Sequence, residues 1–522
     1  MAFLKSMATV SGLTLLSRVF GYMRDVLIAS TFGNSGVSDA FFIALRLPNV
    51  FRRLFAEGAM NSAFVPIFSN LHKKECREKA IRFSCIVFST LATILFGLVS
   101  FVEAIMPLVM GLIAPGFKTD PEKFQQAVNF GYLIFPYIFF ISLAALCSSI
   151  LNALNRFFAA AASPIILNIC AILAVVIYVN DVNKAGYALS FSIAIAGLIQ
   201  FIWVFVACSR ANIKLKFTKV EFTPEVKKLL RKMLPGIAGA GVYQVNLLVS
   251  DIIASFFPMA VSYISYADRV NQFPLSIIGI ALGTVLLPVF SRQVQNNKNH
   301  AAMYMQNRAL QFSFMLTFPA TVALYTISLP IIITLFQHNN FTHEMSLNVA
   351  KVMGIFALAL PANVMIKIFS ANFFSRGDTL TPVKAAVASL ITNVVLNLIL
   401  SQYFSYFGIA AGNVIASWVN GLLLAFWLRK EGNLIIDIRL KKTMPRLALC
   451  SIGMGWVLFK GTEMLMPYFG GEIGKTVLSL FVLISSGLFT YFALIKLTKS
   501  FTYIEFKEAM NKASEDSQAE IV

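Results

Sequence analysis

Apolar stretches recur from one end of this chain to the other, separated by short polar connectors. Each runs roughly 20 residues or more, the length a helix needs to cross about 30 Å of hydrocarbon. Barrel strands would alternate in units of about ten residues, and no such alternation is present. Of the 522 residues, 58% are hydrophobic and 13% charged, against about 25% charged in a soluble globular chain. A soluble fold would lack the polar residues to cover its surface. The expected class is therefore an all-α polytopic membrane protein.

Fourteen transmembrane helices are predicted, over residues 8–33, 38–69, 81–112, 124–153, 157–180, 185–209, 226–256, 260–293, 302–336, 344–372, 380–403, 408–429, 445–468 and 473–498. The first is no cleavable signal peptide, being too long and carrying Arg18, Arg24 and Asp25 where an uncharged core would be required. The six cysteines (Cys76, Cys85, Cys147, Cys170, Cys208, Cys450) show no metal or redox spacing and read as small buried hydrophobes. His72, His300, His338 and His343 fall in predicted connectors, which argues against a metal site or histidine catalysis. Nothing suggests an enzyme, and no cofactor is expected.

The connectors alternate in charge. Basic clusters follow the second segment (Lys73, Lys74, Arg77, Lys79, Arg82), the sixth (Arg210, Lys214, Lys216, Lys219) and the twelfth (Arg429, Lys430, Arg439, Lys441). The opposite side carries little beyond Lys118, Lys123, Lys184 and Lys475. The positive-inside rule then puts both termini in the cytoplasm. The excess charge of +19 is accounted for by loops facing anionic headgroups rather than nucleic acid.

The chain also repeats itself. Aligning Ile28-Ala29-Ser30 with Ile253-Ala254-Ser255 brings Val65-Pro66-Ile67-Phe68-Ser69 near register with Leu287-Pro288-Val289-Phe290-Ser291, and Pro136, Asn155-Arg156 and Pro164 near Pro361, Ser375-Arg376 and Pro382. The predicted organisation is a six-helix bundle over 1–210, a second over 211–430 repeating the first, two added helices over 431–500, and a polar cytoplasmic tail over 501–522. Parallel six-helix repeats are a transporter architecture, with the site expected between the bundles near the midplane.

Ionisable side chains inside a bilayer cost about 2.5 to 3.5 kcal/mol each even on lenient scales, so they face a cavity or a partner. The first helix holds Ser17 and Arg24 on one face and Arg18 and Asp25 on the next; the second holds Asp39, Arg46 and Arg53 at seven-residue spacing, with Arg52 and Glu57; the eighth holds Asp268 and Arg269. Pairing within helices assigns Arg53 to Glu57, Arg18 to Asp25 and Asp39 to Arg46, and leaves Arg24, Arg52 and Arg269 unassigned. A cationic cluster on a central cavity is a receptor for an anion, and planar guanidinium forks suit phosphate oxygens. Gly21, Pro48 and Pro274 stand beside these arginines and predict bends there.

At these residues the chain resembles the MurJ (MviN) lipid II flippases of the MOP exporter superfamily. The resemblance rests on Ser17-Arg18-Val19-Phe20-Gly21-Tyr22-Met23-Arg24-Asp25; on Asp39-Ala40-Phe41-Phe42 through Pro48-Asn49-Val50-Phe51-Arg52-Arg53-Leu54-Phe55-Ala56-Glu57-Gly58-Ala59 to Ala63-Phe64-Val65-Pro66; on Tyr266-Ala267-Asp268-Arg269; and on Phe374-Ser375-Arg376-Gly377-Asp378. It implies a bacterial inner-membrane flippase carrying the undecaprenyl-diphosphate-linked peptidoglycan precursor, lipid II, to the periplasmic leaflet. It further implies that Arg24, Arg52 and Arg269 contact the diphosphate, that Arg18, Arg53 and Asp39 are functionally important, and that the last two helices form a groove for the polyprenyl tail. Gln272 departs from the glutamate of some relatives. A sodium site in some relatives uses an acid of the seventh helix, near which Asp251 lies, so sodium and the membrane potential are both open as energy sources. Membrane lipids and other cell-wall synthesis proteins are the further partners implied. The competing expectation is a cation-coupled multidrug exporter, or an exporter of another lipid-linked oligosaccharide, from the same superfamily; a drug exporter calls for an acidic or neutral cavity rather than a basic one.

Overall fold

In the computed structural model, residues 2–53, 60–72, 76–281, 293–294 and 299–499 are described. Among them the regular structure is helical throughout. Eight continuous helical stretches are long and apolar enough to cross a membrane. Each of the fourteen predicted segments falls, where described, on helix. Glu57, the Leu287–Ser291 half of the repeat, Lys73, Lys74 and the 501–522 tail lie outside the described residues.

Two compact units form, one of Met1–Ser262 with His338–Thr342, the other of Tyr263–Gln337 with the chain from His343 onward. The packing boundary lies one helix beyond the repeat boundary expected from the sequence at 210/211. The first unit contains α1 (Ala2–Phe32), α2 (Gly36–Phe51), α3 (Met60–Asn70), α4 (Arg77–Ala104), α5 (Met106–Ile113), α6 (Pro121–Ile134), α7 (Tyr137–Ala153), α8 (Phe158–Ile177), α9 (Val182–Arg210) and α10 (Pro224–Ala254), and takes in the first residues of α11 (Ala260–Ala281). The second contains the rest of α11, α12 (Asn299–Thr326), α13 (Ser328–Phe336), α14 (His343–Ala357), α15 (Leu360–Ser375), α16 (Leu380–Lys430), α17 (Ile438–Leu465) and α18 (Ile473–Leu497).

Several segments that read as single helices are broken, and the breaks have local causes. Residues 81–112 divide at Ile105, before Pro107; residues 124–153 divide at Phe135-Pro136; residues 344–372 divide just before Pro361. Proline supplies no N–H to the preceding turn, so it is tolerated at a helix start and not within. Helix starts are fixed by caps: Asp120, Asp181 and Asp437 accept the backbone N–H of Lys123, Lys184 and Leu440, as expected of Asp at an N-cap. Conversely, α16 joins two predicted segments as antiparallel legs reversing at Ser405, whose φ is 54°. α1 and α11 run through Gly21 and Pro274 as continuous helix.

In the first unit α1 packs on α8, α7 on α9 and α3, and α2 on α6. Its core includes Phe64 stacked on Phe68 and on Phe83, with Ile86, Leu146 and Ile150 fully enclosed. In the second unit α12 and α18 both pack on α17, and α15 on α16. The exposed surface is rich in large apolar side chains such as Phe96, Leu112, Trp456, Phe481 and Phe489, as a lipid-facing surface requires. Cys85, Cys147, Cys208 and Cys450 are buried, but Cys76 is exposed at the N-cap of α4, so it is no buried hydrophobe. His72, His300 and His343 sit at helix ends rather than in free connectors.

Candidate functional site

α1 turns Arg24 and Ser17 toward α8. Arg24 donates to Asp25 Oδ1 through Nη2 at 2.7 Å and Nε at 3.1 Å, and through Nη1 to Asn168 Oδ1 at 3.0 Å. Asn168 Nδ2 in turn donates to the Ser17 carbonyl at 3.0 Å. Arg24 is thus held by Asp25 and Asn168, where the sequence offered it no partner within the helix. Neighbouring residues on a helix point about 100° apart, yet the long arginine stem can fold back along the surface to reach the next side chain. Ser17, Arg18 and Arg24 are half-buried and Asp25 is buried. Asn168 was not singled out from the sequence; the signal was a lone amide within the otherwise apolar α8.

α2 presents three polar positions along its length. Asp39 is fully buried; its Oδ2 accepts Lys123 Nζ at 2.6 Å, and its Oδ1 accepts the Ser262 N–H at 2.8 Å and hydroxyl at 2.5 Å. Ser262 lies in the first turn of α11, so the carboxylate completes the exposed amides of a helix N-terminus, where negative charge is favoured. Arg46 is bound through Nε and Nη2 to both oxygens of Asp251 on α10. The expected Asp39–Arg46 pair is therefore replaced by Asp39–Lys123 and Arg46–Asp251. Seven residues span about 10.5 Å of helix, too far for one side chain to bridge when better partners are adjacent. A cation at Asp251 would have to displace the guanidinium. At the end of α2 the helix widens to a π turn at Arg52 and Arg53, both half-buried, four residues past Pro48; such turns are frequent at functional sites. The Arg53–Glu57 pairing lies outside the described residues.

In the second unit Arg269 is exposed on α11, and Asp268 accepts from Gln272 Nε2. A glutamate at position 272 could not donate that bond. Asn271 is buried and donates to the carbonyl of Met353 on α14 at 3.2 Å. The Arg376–Asp378 motif closes the turn between α15 and α16. Arg376 Nε donates to Asn372 Oδ1 at 2.8 Å and Nη1 to Asn299 Oδ1 at 3.2 Å. Burial lowers the Arg376 pKa, opposed by the charge of Glu431. Asp378 Oδ1 accepts the N–H groups of Leu380 and Thr381 at 2.9 and 3.0 Å. Desolvation pushes its carboxyl up, but hydrogen bonds from the Thr381 side chain and from these amides outweigh it and hold the pKa below the usual carboxylate range.

Bases outnumber acids along α1 and α2 even with Glu57 counted, within helices of an apolar fold, and that arrangement attracts an anion. A sequence profile described as "Lipid II flippase MurJ" matches residues 28–500. This chain belongs to the MurJ family. A "Probable lipid II flippase MurJ" from Rhizobium meliloti (strain 1021) is 42% identical over 499 residues, covering 94% of this chain and 93% of the relative. The "Lipid II flippase MurJ" of Burkholderia cenocepacia is 34% identical, over 82% of this chain and 84% of its own. A solved MurJ structure, described as an inward closed conformation, matches 94% of this chain and 98% of its own with a TM-score of 0.78 at 27% identity. An inward-facing multidrug transporter of the MATE family, in the MOP superfamily, matches 84% of this chain at a TM-score of 0.65 and 14% identity, so MurJ and MATE proteins share this fold.

Proposed function

We propose that this chain is a lipid II flippase of the bacterial inner membrane, moving an undecaprenyl-diphosphate-linked precursor from the cytoplasmic to the periplasmic leaflet. The observation that carries the reading is the concentration of guanidinium groups in α1 and α2, within a chain related to MurJ proteins along 94% of its length. A diphosphate diester carries about two negative charges, and taking it through a low-dielectric interior uncompensated would cost several kcal/mol per charge. Arg24, Arg52 and Arg269 are assigned to that compensation, with Arg18 and Arg53 in support. The pairing of Arg24 with Asp25 and Asn168 orients its fork and leaves it to be exchanged for a phosphate oxygen when substrate arrives. Two six-helix repeats exposing the substrate to one leaflet at a time would complete the cycle. The related drug exporters share the fold, but a cavity for cationic drugs calls for acids where these arginines stand.

Changing Arg24, Arg52 or Arg269 to Ala should abolish or strongly reduce flipping while membrane insertion stays normal, and Lys should restore part of it by keeping charge without the planar fork. The measurement is expression, lipid II binding and complementation for each variant. Normal binding and growth in the triple Ala variant would overturn the assignment.

A further inference from the structure

A second cationic feature of the first unit lies away from these arginines. A cavity of about 660 Å³ opens where α1, α7, α8 and α9 meet. Val10, Leu151, Phe158, Ala159 and Ala207 give it apolar walls, and Arg156 and Arg210 stand at its mouth. Val10 is fourteen residues from Arg24, about 21 Å along α1, so this is a separate place on the molecule.

The position of Arg156 is built into the chain. Just past the end of α7, Asn155 has a φ of 58°, and the Arg156 N–H closes back onto the Leu151 carbonyl at 2.8 Å, a left-handed helix cap. That cap points the chain outward at Arg156. Its Nη1 lies 3.4 Å from the carbonyl oxygen of Arg210, the last residue of α9. Both arginines are exposed, and among the described residues no carboxylate forms an ion pair with either. Two turns back along α9, the exposed Trp203 donates its indole N–H to the Ala159 carbonyl at 3.1 Å, as a residue at headgroup depth does.

Two like charges at the mouth of an apolar groove fit one chemistry. A soluble anion has no use for the walls, and a neutral or zwitterionic lipid has little use for two guanidinium groups. We infer that this groove holds one anionic phospholipid, its acyl chain along Val10, Leu151 and Ala207 and its phosphate between Arg156 and Arg210. The lipid comes from the leaflet facing the basic connectors, which is the cytoplasmic one on the orientation proposed above. Retention of the lipid is measured without a transport assay, so the test stands apart from the flippase reading.

The test is native mass spectrometry of the full-length protein in detergent, titrated with phosphatidylglycerol or phosphatidylcholine, with inorganic phosphate as the free-anion control. Wild type should retain one phosphatidylglycerol more than the Arg156→Gln/Arg210→Gln variant, whose affinity at this site should be about thirtyfold lower; the double Lys variant should fall between them. Ala207→Leu keeps the charges and narrows the groove, and should also lose the lipid. Equal retention by wild type and the Gln variant would overturn the proposal, as would equal retention of phosphatidylcholine. Displacement of the lipid by millimolar inorganic phosphate would reduce the site to a free-anion site and overturn it too. Should the Gln variant not purify as a single species, the Lys and Ala207→Leu variants decide: undiminished retention in both overturns the inference.

Discussion

Arg46 and Asp251 show most directly what a residue does when water is scarce. Asp251 is 2% exposed and Arg46 22%, so removing one partner strands a charge inside the protein, at about 3 to 5 kcal/mol in buried pairs. Arg46→Met alone should therefore lower the melting temperature and expression sharply, and Arg46→Met/Asp251→Asn should recover most of the loss. A double variant no better than the single would mean the pair contributes nothing. The sequence showed which residues were expensive but not whom they would meet. Spacing of i, i+4 is a guide for solvated helix surfaces, whereas Asp39 and Asp251 find Lys123 and Arg46 on other helices. Lys123 read as a connector charge because the reach of its ammonium, which lies 4.1 Å from the centre of the Phe117 ring, has no signature in one dimension. Arg52, Asp268 and Arg269, by contrast, stood out at once because charge in an apolar helix is costly wherever its partner lies.

At the scale of elements, apolar length foretold helices well and their interruptions poorly. The breaks at Ile105 and Phe135 each cover only a residue or two, and hydropathy stays high across them. α16 shows the opposite case, in which a predicted gap is a tight reversal. Its legs are joined by polar side chains: Asn393 donates to Asn413 and Ser389 to the Ala416 carbonyl, while Asn397 donates to Asn393 along its own leg. Near the turn the backbones nearly touch, since a Cβ on Gly408 would lie 2.2 Å from the Leu400 carbonyl oxygen. Gly408→Ala should thus force the legs apart and cost about 1 to 3 kcal/mol, seen as a lower melting temperature and faster proteolysis near Ser405. Wild-type stability in that variant would show that the reversal can relax.

For the whole molecule, charge asymmetry predicts which ends face outward. The Ser35 hydroxyl is buried, whereas its neighbour Asn34 is exposed, as is Asn339. Cysteines at Asn34 and Asn339 in a cysteine-free chain should react with an impermeant reagent outside intact spheroplasts, and one at Lys216 should not. The reverse pattern would invert the topology. Alternating access makes a separate demand on the Ser38 and Ser262 hydroxyls, which lie 2.8 Å apart. A disulfide between cysteines there should stop flipping until reduced, and an unchanged rate in the oxidised protein would rule out a cycle that separates these residues.

The five residues His338–Thr342 read as a simple outside loop, yet they belong to the first unit. Asn340 donates through its N–H to the Ser30 carbonyl and through Nδ2 to that of Thr31, closing the end of α1, and its own carbonyl lies where a Cβ on Gly33 would be. Gly33 itself has a φ of +45°. For anyone inserting an epitope, a fluorescent domain or a new terminus, these residues are the wrong place despite their polarity, because tolerance follows what the backbone is bonded to. Gly471, with open space around it, offers the chain an interruption that α1 would not feel.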